Sequence, residues 1–183
     1  MHHIYTTKAF VVHSNEQGEA NKFIQLFTKD FGFIGAIAQG IRLSKSKLKY
    51  HIQDGSYANI SIVRGKEVWR LTGANQIHSK INIIHHKILK LLKRLLHGEE
   101  MNEKLFEIVE RLYILEINEE DLDFLECLTV LRILHNLGYI RKIDQFENIL
   151  KNNDLNKEII DIVRKYKVDI VKNINIAFTE SHL

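Results

Sequence analysis

The 183-residue chain contains no proline and a single cysteine, Cys127. One thiol excludes a disulfide within the chain and a zinc site built from cysteines alone. Without proline, tight turns must rely on Gly, Asn and Asp. No apolar run approaches the roughly 20 residues of a membrane-spanning helix. The most apolar stretch, residues 81–96, is interrupted by Lys87, Lys90, Lys93 and Arg94. No charged segment followed by an apolar one opens the chain, so no export signal is expected and the cytoplasm is the natural compartment. The sequence also lacks GxGxxG, the P-loop, HExxH and GxSxG, the patterns that cradle phosphates or present catalytic groups. An enzyme is not the expected class, and neither cofactor nor metal is expected.

What the chain does have is charge, unevenly placed. Residues 1–80 carry 11 Lys and Arg against 5 Asp and Glu, a net of +6, whereas residues 81–183 carry 15 against 18, a net of −3. The first part therefore suits a polyanion. Its most basic stretch is Gly40–Lys49, where Arg42, Lys45, Lys47 and Lys49 occur with no acid before Asp54. A 45% hydrophobic share is enough to pack one ordinary domain or two small ones.

Residues 4–13, 20–28, 33–38, 57–63 and 67–72 read as strands, rich in β-branched and aromatic side chains and separated by turn residues. In the fourth, Ala58, Ile60 and Ile62 share one face, and Tyr57, Asn59, Ser61 and Val63 the other. Five short strands without a long helix between them favour a sheet curled into an OB-type barrel, which removes exposed edges. Near residue 80 the apolar period changes to that of a helix. Ile84, Ile88, Leu91, Leu92 and Leu95 form one stripe, ended by Gly98; Leu105, Ile108, Val109 and Leu112 form a second behind Asn102. Asn118 is expected to cap a helix carrying Leu125, Leu128, Leu131 and Leu134 to a stop at Gly138. A short helix follows Asp144, and Asp154 caps a last one reaching about Thr179. The expectation is a β barrel over 1–80 and an all-helical domain over 81–183, packed together without a flexible linker.

The cations of the loop admit two readings. They are a solvated surface, or they contact phosphates; their single sign and their place on a predicted barrel favour the second. Arg64, Lys66 and Arg70 join them around the next hairpin. Tyr57, Trp69 and Phe33 are candidate stacking platforms for bases, with burial expected for Phe33 and Trp69. On the first helix, His86, Lys90, Lys93 and His97 share a face with Arg94 nearby. This face is either plain solvent-facing charge or a docking strip for an acidic peptide or DNA. Neither His86 nor His97 has a ligand at i+4, which speaks against a metal. Cys127, among leucines in mid-helix, reads as an inert thiol. On residues alone, an RNA-binding OB module and a protein-interaction adaptor without DNA affinity remain alternatives.

More specific is the run from Ala9 with Val11-Val12, through Gly18-Glu19-Ala20-Asn21, Leu26-Phe27-Thr28, Gly32, Gly40-Ile41-Arg42 and Ser46-Lys47-Leu48, to Arg64-Gly65-Lys66-Glu67-Val68-Trp69. In order and spacing it resembles the bacterial recombination mediator RecO family. Leu131-Arg132-Ile133-Leu134 and Leu137-Gly138-Tyr139 resemble, more thinly, the helix that precedes that family's zinc segment. The resemblance implies a non-enzymatic protein with an N-terminal OB domain and a C-terminal helical domain. It implies binding to single- and double-stranded DNA and annealing of strands. It also implies association with RecR and the C-terminal tail of the single-strand-binding protein SSB to help load RecA. The chain departs from the family at Ile140-Arg141-Lys142-Ile143-Asp144, where many members carry cysteines and this chain has none, so no zinc site is carried over.

Overall fold

The computed structural model describes residues 3–78, 80–141, 144–151 and 153–181. Lys142 and Ile143, in the cysteine-free stretch, lie outside these. Two compact units divide the chain, Met1–Glu103 and Lys104–Leu183. The helical period begins near residue 80, but the first helix stays with the strands, so the first unit is longer than its strand-bearing segment.

That unit holds β1 (Ile4–Gln17), β2 (Asn21–Thr28), β3 (Gly32–Ala38), β4 (Tyr57–Arg64) and β5 (Trp69–His78). They close into a barrel in the order β1-β2-β3-β5-β4. β1 is longer than its sequence pattern suggests because it serves two neighbours. Residues Ile4 to Phe10 pair with β4, and Ala9 to Gln17 pair with β2, with a register shift between Val11 and His13. Such a bulge bends a strand sharply enough to turn a barrel corner. Closure comes from β3 and β5, parallel over Ala36–Ala38 and Trp69–Leu71.

Alternation then sorts the side chains. Ala9, Val11, Ile24, Leu26, Ile34, Ala36, Ala38, Ala58, Ile60, Ile62, Trp69 and Leu71 form the core cluster. Small and large residues share it, which is how a narrow barrel is filled. Tyr57 is buried on the opposite face, stacked on Phe10 with ring centroids 4.6 Å apart. The next helix, α1 (Ile83–Leu95), packs against β1. Its buried side is Ile84, His85, Ile88, Leu89, Leu92 and Leu95. Leu89 thus takes the place expected of Leu91, which is half-buried. The helix ends at Leu95, three residues before Gly98.

The second unit contains α2 (Glu103–Ile114, whose first residue closes the first unit), α3 (Leu122–Asn136), α4 (Glu147–Lys151) and α5 (Lys157–Glu180). The expected leucines and isoleucines of α2 and α3 are all buried, and α3 packs on α5. Two expected caps are corrected. Asn118 makes no side-chain capping bond, because a short 3-10 turn over Glu119–Asp121 leads into α3. Asn156, not Asp154, caps α5, its side-chain oxygen accepting the Ile159 amide at 2.9 Å. Asp154 is engaged otherwise: its carboxylate lies 3.9 Å from the Arg111 guanidinium, and Arg132, buried in α3, donates to the Asp154 carbonyl at 3.0 Å and to the Ile149 carbonyl at 2.8 Å. Burial pulls the Arg132 guanidinium down to about 10, leaving it charged at neutral pH.

Candidate nucleic-acid interface

The basic loop leaves β3 at Gln39 and returns to the sheet at Tyr57. Its ends are pinned. Ile41 and Ile52 are buried in the barrel core, and Leu48 packs against it. The Gly40 amide donates to the Asn21 side chain at 2.9 Å, the Arg42 amide to the Ala20 carbonyl at 3.0 Å, and the Gly55 amide to the Val11 carbonyl at 2.8 Å. The loop is a folded connection with three apolar anchors. Sequence reasoning looked at its charges and passed over its isoleucines.

The anchors decide where the charges go. Lys45 and Lys47 are exposed, and no carboxylate within the described residues pairs with either. Lys49 is half-buried; its ammonium donates to the Ser44 carbonyl at 3.3 Å and lies 5.0 Å from the centre of the Tyr50 ring. Arg42 differs from the other three. Its guanidinium pairs with Glu16 at 2.9 Å and donates to the Gly18 carbonyl at 2.8 Å, so it clamps the loop to the β1–β2 hairpin. The absence of acids between Arg42 and Asp54 in sequence therefore does not hold in space. Glu16 comes from another strand, and no local pattern announces it. A groove of about 680 Å³ beside the loop is correspondingly mixed, with Lys22, Arg42 and Lys49 facing Glu16 and Asp54.

Around the β4–β5 hairpin the three predicted cations divide in the same way. Lys66 and Arg70 are exposed without an ion-pair partner among the described residues. Arg64 is paired with Glu99 and lies over the Trp69 ring at 4.7 Å. The same carboxylate accepts the Trp69 indole N–H at 3.1 Å. Trp69 is only 4% exposed, and Tyr57 is also buried, so neither presents a face to a base. Phe33 is half-buried and is not part of the barrel core cluster. A groove of about 630 Å³ is lined by Ile37, Gln39, Arg64, Lys66 and Arg70, with Glu67 as its acid. Gln39, which lines this groove, is also the residue from which the basic loop leaves β3.

His86, Lys90, Lys93 and Arg94 are all exposed on α1, and His97 follows the helix, also exposed. No acid lies within the helix to offset them, and Lys93 and Arg94 sit in its last turn, where the helix dipole favours positive charge. The imidazole of His86 abuts Gly55, which has φ +90°. The positive φ favours glycine here, and a β-carbon would lie 2.8 Å from the ring unless His86 shifted. The cationic face of α1 thus starts at the turn that ends the basic loop. His85, beside it in sequence, is instead buried and structural. Its Nδ1 accepts the Asn82 amide at 3.1 Å while the Asn82 side chain accepts the amides of Ile84 and His85. This reciprocal cap is a use of histidine that spacing alone did not suggest.

Among the described residues no group of three or more His, Cys, Asp and Glu could hold a metal ion. Ser14, His13 and Asp54 do cluster, but both Ser14 (2.7 Å) and His13 (3.3 Å) address the same carboxylate. The serine and the histidine each bond the carboxylate and not each other, so the group lacks the serine–histidine contact that activates a nucleophile. The Cys127 thiol is half-buried, and burial pushes it up from its ordinary value, away from the reactive thiolate.

Residues 1–80 match the family described as Recombination protein O N terminal. Over these residues the chain is similar to the N-terminal segment of the RecO family. Over 81 residues the chain is 38% identical to the DNA repair protein RecO of Dehalococcoides mccartyi strain CBDB1, covering 44% of this chain and 32% of that relative. Longer matches run into the helical unit. One is 28% identical over 153 residues to RecO of Heliobacterium modesticaldum, covering 74% of this chain and 52% of the relative. Another is 27% identical over 153 residues to RecO of Chlorobium limicola, covering 78% and 59%. The matched segment spans about a third of the first of these relatives (32%) and between half and three-fifths of the others (52% and 59%). Both cationic clusters of the barrel fall inside the RecO segment, and no described helix of the chain is long and apolar enough to cross a membrane.

Proposed function

We propose that the chain is a non-enzymatic recombination mediator of DNA repair. It binds single- and double-stranded DNA through the phosphate backbone and promotes annealing of complementary strands. The observation that carries this reading is the set of Lys45, Lys47, Lys66 and Arg70, exposed and without acidic partners among the described residues, on a barrel whose interior is filled. A filled barrel offers a small ligand no room inside, while unpaired surface cations attract a polyanion without reading its sequence. Annealing requires this and little more: two polyanions must approach while their bases stay free to pair.

The strand order β1-β2-β3-β5-β4 with β3 parallel to β5 supports an OB-type barrel within residues 1–80. Lys49, Arg42 and Arg64 belong to the same DNA-binding surface, the arginines after release from Glu16 and Glu99. The α1 face of His86, Lys90, Lys93 and Arg94 extends it or docks a partner. RecR, the C-terminal tail of SSB and, indirectly, RecA are the proposed partners in the cytoplasm. The test is annealing of complementary strands coated with SSB, comparing the wild type with a K45A/K47A/K66A/R70A variant. The wild type should anneal in a salt-inhibited, sequence-indifferent manner and the variant should not. Equal rates for the two proteins would refute the reading.

A further inference from the structure

We propose that Tyr50 is the base-stacking residue of the basic loop, so that the loop discriminates unpaired from paired strands. This inference rests on the reading of the loop as a phosphate-binding element. Among the phenylalanine, tyrosine and tryptophan rings described in the barrel unit, Tyr50 is the one in the exposed class, at 63%. Exposure alone would be unremarkable for a tyrosine on a loose loop. Here the backbone beneath it is held. Residues Leu48–Tyr50 form a 3-10 turn in which the Tyr50 amide donates to the Lys47 carbonyl at 3.3 Å. The Ile52 amide returns to the Leu48 carbonyl at 3.1 Å, and Leu48 and Ile52 pack into the barrel core. The ring thus stands on a fixed base and points away from the core that its neighbours enter.

Its surroundings fit a nucleotide rather than a protein side chain. The Lys49 ammonium lies over the ring at 5.0 Å and is itself positioned by the Ser44 carbonyl. Lys47, three residues earlier, is exposed and unpaired within the described residues. An aromatic face with cations beside it is the arrangement that holds single strands: the ring takes the base and the ammonium groups take the flanking phosphates. In a duplex the base faces are already stacked on each other, so the ring has nothing to receive. Phosphate contacts alone do not distinguish the two forms; a stacking residue does.

The experiment measures binding of the full chain to a single-stranded oligonucleotide and to the matching duplex, for the wild type, Tyr50→Ala and Tyr50→Phe, across a salt series. A second readout is the fluorescence of 2-aminopurine placed in the single strand, which is quenched on stacking. Tyr50→Ala should weaken single-strand binding by about 5- to 150-fold, the range of one lost base–aromatic stack. It should leave duplex binding within about twofold and the salt slope unchanged, since no phosphate contact is lost. Tyr50→Phe should retain both affinity and quenching. Normal wild-type binding with an equal loss on both forms, or with no loss at all, overturns the role of Tyr50 and leaves the cationic surface standing. Failure of the wild type to bind either form overturns both.

Discussion

Replacing Lys45, Lys47, Lys66 and Arg70 together by alanine removes four exposed charges that neutralise no acid among the described residues. Because all four are exposed, each substitution should change stability by less than about 0.5 kcal/mol, and the variant should stay folded. If each contacts one phosphate, the slope of log K against log salt becomes shallower by about 0.7 per contact on single strands, or ~2.8 in all, and by ~3.6 on duplex DNA. Between about 50 and 200 mM salt, a change of ~2.8 in slope corresponds to roughly fifty-fold in relative affinity. Anisotropy of a labelled oligonucleotide over that range reads it directly. Arg42→Ala is the internal contrast. With Glu16 and the Gly18 carbonyl already holding that guanidinium, its loss should flatten the slope by less than one full contact. A quadruple variant whose slope equals that of the wild type would refute the assignment of these four side chains, however well the protein bound DNA.

Two further predictions concern the helical unit. Arg132→Met keeps the volume but strips the Ile149 and Asp154 carbonyls of their buried donor, which should cost about 2–4 kcal/mol in urea denaturation; a loss below about 0.5 kcal/mol, the range of surface changes, would contradict the clamp. For Cys127 the folded thiol is raised by burial, so at a given mildly alkaline pH less of it is thiolate than in the unfolded chain. Its alkylation should be slower in buffer than in urea and should catch up only at higher pH. Equal rates in the two would contradict it.

Much of this architecture was legible in the sequence, and the parts that were not share a cause. Alternation at Ala58, Ile60 and Ile62 and the helical stripes of α2 and α3 predicted which side chains are inside, because those patterns are set by the geometry of one element. The solvent-facing charges of α1 were readable for the same reason. Ion pairing was not. Glu16 reaches Arg42 and Glu99 reaches Arg64 from 26 and 35 residues away, and only the folded unit brings those segments together. Capping fell between the two: Asn156 and Asp154 are both suitable cap residues, and the helix begins at Lys157, directly after Asn156. The exposure of Tyr50 was hidden for a similar reason, since an aromatic in a basic run reads as an anchor until Leu48 and Ile52 are seen to anchor the loop instead.

The most direct test of the central claim, that the open cations of the barrel meet DNA, is lysine reactivity. The full chain would be acylated with and without a saturating single strand and the modified sites quantified by mass spectrometry. Lys45, Lys47 and Lys66 should be protected on binding, while the exposed Lys104 and Lys165 of the helical unit react as before. Protection confined to the helical unit, with the three barrel lysines reacting unchanged, would contradict the account.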